Sequence, residues 1–188
     1  MYWVMFTERQ TDNEKILFGV PSVIEDLDLE CDEGCHITGE IPLIEFAPEE
    51  NFETLTDNLS APGFGGLLAN KRVSQTLRNA GANNIQEFPV LLKGVNDNQD
   101  CTDYDLINII GDADIIDYDK SDVVLRRPGN IKRINALSFI DTSDMPLPYI
   151  FRLTSFLPLV IAHDKVKQAF EANNITGFTF YKPEDFYL

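Results

Sequence analysis

Leu67-Leu-Ala-Asn-Lys-Arg-Val-Ser-Gln-Thr-Leu77 and Val160-Ile-Ala-His-Asp-Lys-Val-Lys-Gln-Ala-Phe170 align without a gap at an offset of 93 residues, with Ala69, Val73 and Gln75 recurring as Ala162, Val166 and Gln168. Val73, Leu77 and Ala80 have helical spacing, as do Val166, Ala169 and Phe170. Asn70 and His163 fall at the helix starts, where a short polar side chain accepts a free backbone N–H. Gly81 and Asn174 align at the far ends, and both residue types tolerate the left-handed conformation that commonly closes a helix. A strand-like run follows each copy, Ile85 to Leu92 and Gly177 to Tyr181. The pattern predicts two repeated strand–helix–strand elements, over about 67–92 and 160–181, related by a rough twofold.

Between them lie further strand candidates, Asp105–Ile110, Ala113–Tyr118, Val123–Arg126, Ile131–Ile140 and Tyr149–Leu153, rich in Ile, Val and Leu and bounded by Gly, Pro and Asp. Arg127-Pro128-Gly129-Asn130 reads as a tight turn, and Gly94 to Asp103 as a polar one. The first sixty residues read as a meander of strands at 2–6, 15–20 and 40–46. Ala61-Pro-Gly-Phe-Gly-Gly66 is a hinge into the main body. The sum is a strand-rich α+β fold in one domain over 1–188, with an acidic N-terminal lobe (1–60) on a main body (61–188).

Apolar content of 44% and 13 Phe mark a globular chain. No stretch reaches the ~20 apolar residues of a membrane span. Met1-Tyr-Trp-Val-Met-Phe6 lacks a basic leader and reads as a strand, not a signal peptide. Three cysteines without an export signal suit reduced thiols in a cytoplasm.

Charge is the other strong feature. The net charge is −16, unevenly distributed. Ile16 to Asn70 holds 12 Asp and Glu and no Lys or Arg; Asp97 to Asp122 holds nine Asp against Lys120 alone. Such a field repels nucleic acid and anionic membranes and favours a basic partner. Solubility alone is the competing explanation.

Catalytic and metal-binding patterns are sparse. Gly63-Phe-Gly-Gly66 fits no phosphate-binding fingerprint. Cys31-x-x-x-Cys35-His36 has a zinc-compatible spacing but no second ligand pair. Asp112, Asp114, Asp117 and Asp119 are the one set from which a small metal-dependent hydrolase could be built. The competing reading puts these carboxylates on a wet face while Ile115, Ile116 and Tyr118 pack inward. With only His36 and His163, nucleophilic triads have few possible members. No cofactor is expected. Arg152 is expected to be buried against a carboxylate such as Asp117 or Asp141, because an unpaired buried charge is costly.

The run Tyr104-Asp-Leu-Ile-Asn-Ile-Ile110, then Ile115-Ile-Asp117-Tyr-Asp-Lys-Ser121, Phe139-Ile-Asp141-Thr-Ser143-Asp-Met-Pro146, Ile150-Phe-Arg-Leu153 and Ile175-Thr-Gly177-Phe178 resembles, in order and spacing, the immunity protein 11 family of bacterial polymorphic toxin systems. The resemblance spans roughly 85 residues, with a less distinct part over Leu67 to Val90, and leaves 1–60 unmatched. It implies a protein that binds a toxin rather than one that turns over a substrate. Asp117, Ser121, Phe151, Arg152 and Gly177 match the family pattern and are assigned to the fold, since residues shared by a family with differing toxins do not set partner choice. The acidic blocks are then the expected contact with a basic toxin domain, a nuclease among the candidates: Asp97, Asp100, Asp103, Asp112 and Asp114 first, and Glu25, Asp26, Asp28, Glu30, Asp32 and Glu33 as a second patch. The third possibility is a self-associating module in which the repeated element forms a dimer contact.

Overall fold

The computed structural model describes residues 1–8, 19–27, 29–47, 55–59, 65–96 and 99–188. Its elements are β1 (Tyr2–Thr7), α1 (Ser22–Asp26), β2 (Ile44–Phe46), β3 (Asn58–Leu59), β4 (Leu67–Asn70), α2 (Lys71–Asn79), β5 (Ile85–Asn96), β6 (Gln99–Cys101), β7 (Tyr104–Ile109), β8 (Asp112–Ala113), β9 (Asp122–Arg127), β10 (Asn130–Ala136), β11 (Ile150–Leu153), β12 (Phe156–His163), α3 (Asp164–Ala172), β13 (Phe178–Tyr181) and a 3₁₀ turn (Pro183–Asp185). The fold is α+β and strand-rich. Of the expected strand at 15–20, residues 15–18 lie outside the described residues, as do residues 61–64 of the hinge; 19–20 are not in a strand.

The strands form a five-stranded sheet in the order β13-β1-β12-β11-β8, a six-stranded sheet in the order β2-β5-β7-β4-β3 with β6 beside β5, and the β9–β10 hairpin. In the six-stranded sheet β7 runs antiparallel between β4 and β5, and Leu106 stands opposite both Leu68 and Phe88. In the five-stranded sheet β1 runs antiparallel between β12 and β13, and Val4 stands opposite both Ile161 and Tyr181. The flanking residues of the second set lie 93 positions beyond those of the first.

Helix ends follow local chemistry. The Asn70 side chain accepts from Arg72 N at 3.0 Å, and His163 Nδ1 accepts from Lys165 N at 3.2 Å. Past the helix ends Gly81 has φ +91° and Asn174 φ +50°, the left-handed closure expected of both. Val73 and Leu77 of α2 and Val166 and Phe170 of α3 are buried in one cluster with Ala69 and Ile107 of one sheet and Met5 and Ala162 of the other. The two helices therefore spend their apolar faces on each other within the chain. Burying each such large side chain contributes roughly 1.5–3 kcal/mol.

A polar clamp joins the helices at their edge. The buried Asp57 carboxylate accepts from Thr176 N (2.8 Å) and Thr176 Oγ1 (3.1 Å) and lies 3.5 Å from Arg72, whose guanidinium also reaches Asn173 O. Beside it Gly177, at φ +82°, packs so closely that a Cβ would stand 2.6 Å from Asn58 O. Only glycine fits that position.

Each sheet is covered on its other face by different material. Leu68, Phe88, Val90 and Leu106, with Ile44 and Phe46 of β2, pack against Ile24, Leu29 and Cys31 of the N-terminal region. Val4, Phe151, Leu159 and Ile161 pack against Ile131 and Ile134 of the hairpin and Phe186 near the C-terminus. Among the described residues no helix is long and apolar enough to cross a membrane.

The expected strand over Ala113–Tyr118 is not formed. β8 has two residues, and Ile116 makes an isolated bridge to Phe139. Asp114 Oδ1 accepts from Ile116 N at 3.3 Å, and the Asp117 carbonyl takes the N–H groups of Lys120 and Ser121, so local turns win over extension. Ile115 and Ile116 are buried as expected, but Tyr118 is exposed and donates to Asp114 Oδ2 at 3.0 Å.

Candidate partner-binding surface

The acidic segment Leu29–Cys35 has no regular structure of its own, and the main body fastens its backbone. Gly111 N donates to Gly34 O at 2.7 Å, Asn108 Nδ2 to Cys35 O at 2.8 Å, and Arg152 Nη2 to Cys31 O at 2.6 Å. Two residues further on, the Gln86 amide exchanges hydrogen bonds with both backbone groups of Ile37, at 2.8 and 2.9 Å. Leu29 and Cys31 point inward, so Glu30 and Glu33 face solvent with Asp32 half-buried.

These three acids line a cleft of about 370 Å³ whose other walls include Arg126, Thr154 and Leu157. Thr154 donates to Asp112 Oδ2 at 2.6 Å, which sets Asp112 on the rim. Asp114 lies two residues on. The Gly34–Gly111 contact thus joins members of the two acidic blocks, with Glu30, Asp32 and Glu33 on one side and Asp112 and Asp114 on the other; the nearest of these in sequence, Glu33 and Asp112, are 79 positions apart.

The remaining predicted contacts lie elsewhere. Asp100 is held at the edge of the six-stranded sheet by Lys93 (3.4 Å) and Gly94 N (3.1 Å). Asp103 is exposed before the first residue of β7, while Asp112 follows its last, so the second acidic block is divided by roughly 20 Å of strand. Glu25 and Asp26 are exposed on α1, which is anchored through buried Ile24. Asp28 and Asp97 lie outside the described residues.

Beneath the acidic segment, Arg152 is fully buried and its expected carboxylate partner is not there. Its guanidinium donates to three carbonyls, Cys31 O, Gly65 O (2.7 Å) and Leu157 O (3.0 Å). Asp117 instead pairs with Lys120 at 2.6 Å, and Asp141 accepts from Ser143 N and Oγ. Burial pushes the Arg152 guanidinium down to about 10, and the field of Asp32 opposes that shift. Backbone carbonyls therefore take the place of a carboxylate: those of Cys31 and Gly65 come from segments without regular structure, and that of Leu157 from β12.

Of the other family-pattern residues, Phe151 is buried against Tyr2 at a ring separation of 5.4 Å, and Ser121 Oγ accepts from Ser138 N at 2.8 Å. Gly177 is the close approach described above.

The four aspartates of the hydrolase alternative turn to different partners: Asp112 to Thr154, Asp114 to Tyr118, Asp117 to Lys120, with Asp119 exposed. Among the described residues no three His, Cys, Asp or Glu side chains converge on a point where a cation could sit. Cys31 is buried and its thiol is pushed up to about 12 by burial, while Cys35 is exposed.

Two features escaped sequence reading. A cleft of about 810 Å³ opens between Leu137–Ser143 and the C-terminal turn, lined by Lys120, Phe139, Asp141 and Lys182. The hairpin also carries Arg126, Arg127, Lys132 and Arg133, all exposed.

Compared with known families, the sequence matches the model of the immunity protein family (Imm11) over residues 4–185. The chain belongs to that family. The match takes in the N-terminal region, which carries none of the motifs that first pointed to these immunity proteins. Immunity proteins of this family suggest protection against a toxin through binding, and such proteins are generally not enzymes. No curated protein matches the chain.

Proposed function

We propose that this immunity protein neutralises a cognate toxin by occluding it, with the acidic cleft as the first contact. The observation that carries the reading is the Gly34–Gly111 junction, which puts Glu30, Asp32 and Glu33 beside Asp112 and Asp114. A concentrated negative field in a cleft steers a basic surface and speeds encounter. The partner is then a toxin domain with a basic face, such as a nuclease, whose own surface must attract phosphate. Affinity comes from buried contacts around the acidic rim, and protection of the producing cell requires a dissociation constant of about nanomolar or tighter. Asp100, Asp103, Glu25 and Asp26 are outlying charges that add to the field. The chain works as one domain in the cytoplasm, and its two strand–helix–strand elements are copies of one unit. The shared offset in the pairing of Leu106 and Val4 supports that last point.

The test starts by capturing the toxin on the tagged protein from cells that make it. Association rates are then compared between wild type and Glu30→Lys, Glu33→Lys, Asp112→Lys in combination. The triple variant is expected to associate about tenfold more slowly at low salt while melting normally, since all three side chains are exposed. An unchanged rate removes the cleft from the reading and leaves immunity itself standing.

A further inference from the structure

β9 is a strand with five of its six residues exposed, Val124 and Leu125 each at 44%. Among the described strands it pairs with β10 alone. The other edge of β10 is taken: Ile131 N donates to Ser155 O at 2.9 Å, Ile134 and Leu188 exchange hydrogen bonds of 2.8 Å, and Leu137 N reaches Pro183 O at 3.3 Å. The free edge of the hairpin is therefore β9, and an exposed edge bearing large apolar side chains is a template for strand addition. Arg126, Arg127 and Pro128 at its far end are the kind of residues that discourage indiscriminate pairing.

Asp122 at its near end changes what the edge can accept. When two copies of one strand pair antiparallel across a twofold axis, opposed residues share a face and symmetry-related pairs share a hydrogen-bond type. The axis must then pass through a residue and not between two. With the axis at Val124, Val124 meets its own copy, Val123 meets Leu125, and Asp122 meets Arg126, twice over. With the axis at Leu125, Arg126 and Arg127 face valines and Asp122 faces Pro128, which has no N–H. With the axis at Val123, Lys120 faces Arg126. One register alone sets acid against base and apolar against apolar.

We propose that β9 is a homotypic contact: a second copy of this chain adds its own β9 antiparallel about an axis at Val124, making a four-stranded β10-β9-β9-β10 sheet. A toxin strand is the lesser fit, because the self-complementarity of Asp122 and Arg126 serves no other occupant. Two six-residue strands bury well under the ~1,200 Å² of a standard stable interface, and a net charge of −16 opposes association. The dimer is therefore weak, on the order of 10–100 µM. This contact shares Arg126 with the wall of the acidic cleft, but it does not depend on the toxin's chemistry.

Sedimentation velocity of the full chain from about 5 to 500 µM tests it, with melting curves to verify folding. Wild type is expected to shift from monomer to dimer across that range. Asp122→Arg and Arg126→Asp are each expected to move the midpoint at least about tenfold upward, and the double variant Asp122→Arg/Arg126→Asp to restore it. Val124→Lys, which sets two like charges on the axis, is expected to give a monomer throughout. A monomeric wild type at about 500 µM, a dimer indifferent to the single reversals, or a double variant that stays dissociated overturns the proposal.

Discussion

Around β7 and around β1 the chain builds the same arrangement, two parallel strands either side of an antiparallel one with a helix between them, yet the two halves are finished differently. The β7 half is covered by the acidic N-terminal region; the β1 half is covered by a hairpin carrying four basic residues. The inner faces, where α2 and α3 meet, are alike in kind. The contrast separates what holds the molecule together from what it presents. A common scaffold fixes position, and the covers supply charge of opposite sign.

The most drastic way to break that contrast is Arg152→Met, which removes the buried tie between the β1 half and the acidic cover. Three carbonyls lose their donor at ~1–3 kcal/mol each, less whatever water recovers, so a loss of about 3–5 kcal/mol is expected in urea unfolding. Cys31 should become open to a thiol reagent before global unfolding. If Cys31 stays protected in the variant, the cover is held by its apolar contacts and not by the guanidinium.

Paired truncations sharpen the likeness of the inner faces. Leu77 and Phe170 hold equivalent places on α2 and α3 and are both buried. Leu77→Ala is expected to cost about 2–5 kcal/mol and Phe170→Ala about 3–5 kcal/mol. Costs that differ by much more than the size of the side chains would mean that one half carries the shared core.

The smallest effect lies in the caps. Asn70→Ala and His163→Ala should each cost about 1 kcal/mol, or a melting shift of about 2–4 °C. His163 caps through a bare ring nitrogen and therefore as the neutral form. Burial lowers its proton affinity below the ordinary value near 6.5. As pH falls from 7 to 5, the unfolded chain takes up a proton that the folded one resists, and stability falls. His163→Asn, which copies the cap of the other half, should flatten that part of the pH dependence in thermal melts. An identical slope in the variant would place the titration elsewhere.

The parts legible in sequence were those governed by neighbours in the chain. Asn70, His163, Gly81 and Asn174 gave both helix limits because capping and left-handed closure are local chemistry. Val73, Leu77, Val166 and Phe170 gave the buried faces because helical spacing is local geometry. The Ala113–Tyr118 strand was misread because Asp114 and Asp117 bind backbone two to four residues away, a competition that apolar periodicity does not register. The partner of Arg152 was misread for another reason. A buried cation was assigned a carboxylate, while carbonyls of Cys31, Gly65 and Leu157, remote from one another in sequence, did the same work.

For the candidate surface, the charge blocks were visible but their assembly was not. The sequence holds Asp103 and Asp112 in one block, and β7 carries them to opposite ends of a strand. It holds Glu33 and Asp112 in two blocks, and the Gly34–Gly111 hydrogen bond brings them together.

The position of β1 has a consequence for how the protein comes into being. Tyr2 lies opposite His163, and Val4 opposite both Ile161 and Tyr181. A ribosome delivering about 5–20 residues each second would hold β1 unpaired until β12 and then β13 emerge. Pairings so distant along the chain also close slowly. The five-stranded sheet is thus assembled only after nearly all of these residues have been translated, so a partly made chain lacks it.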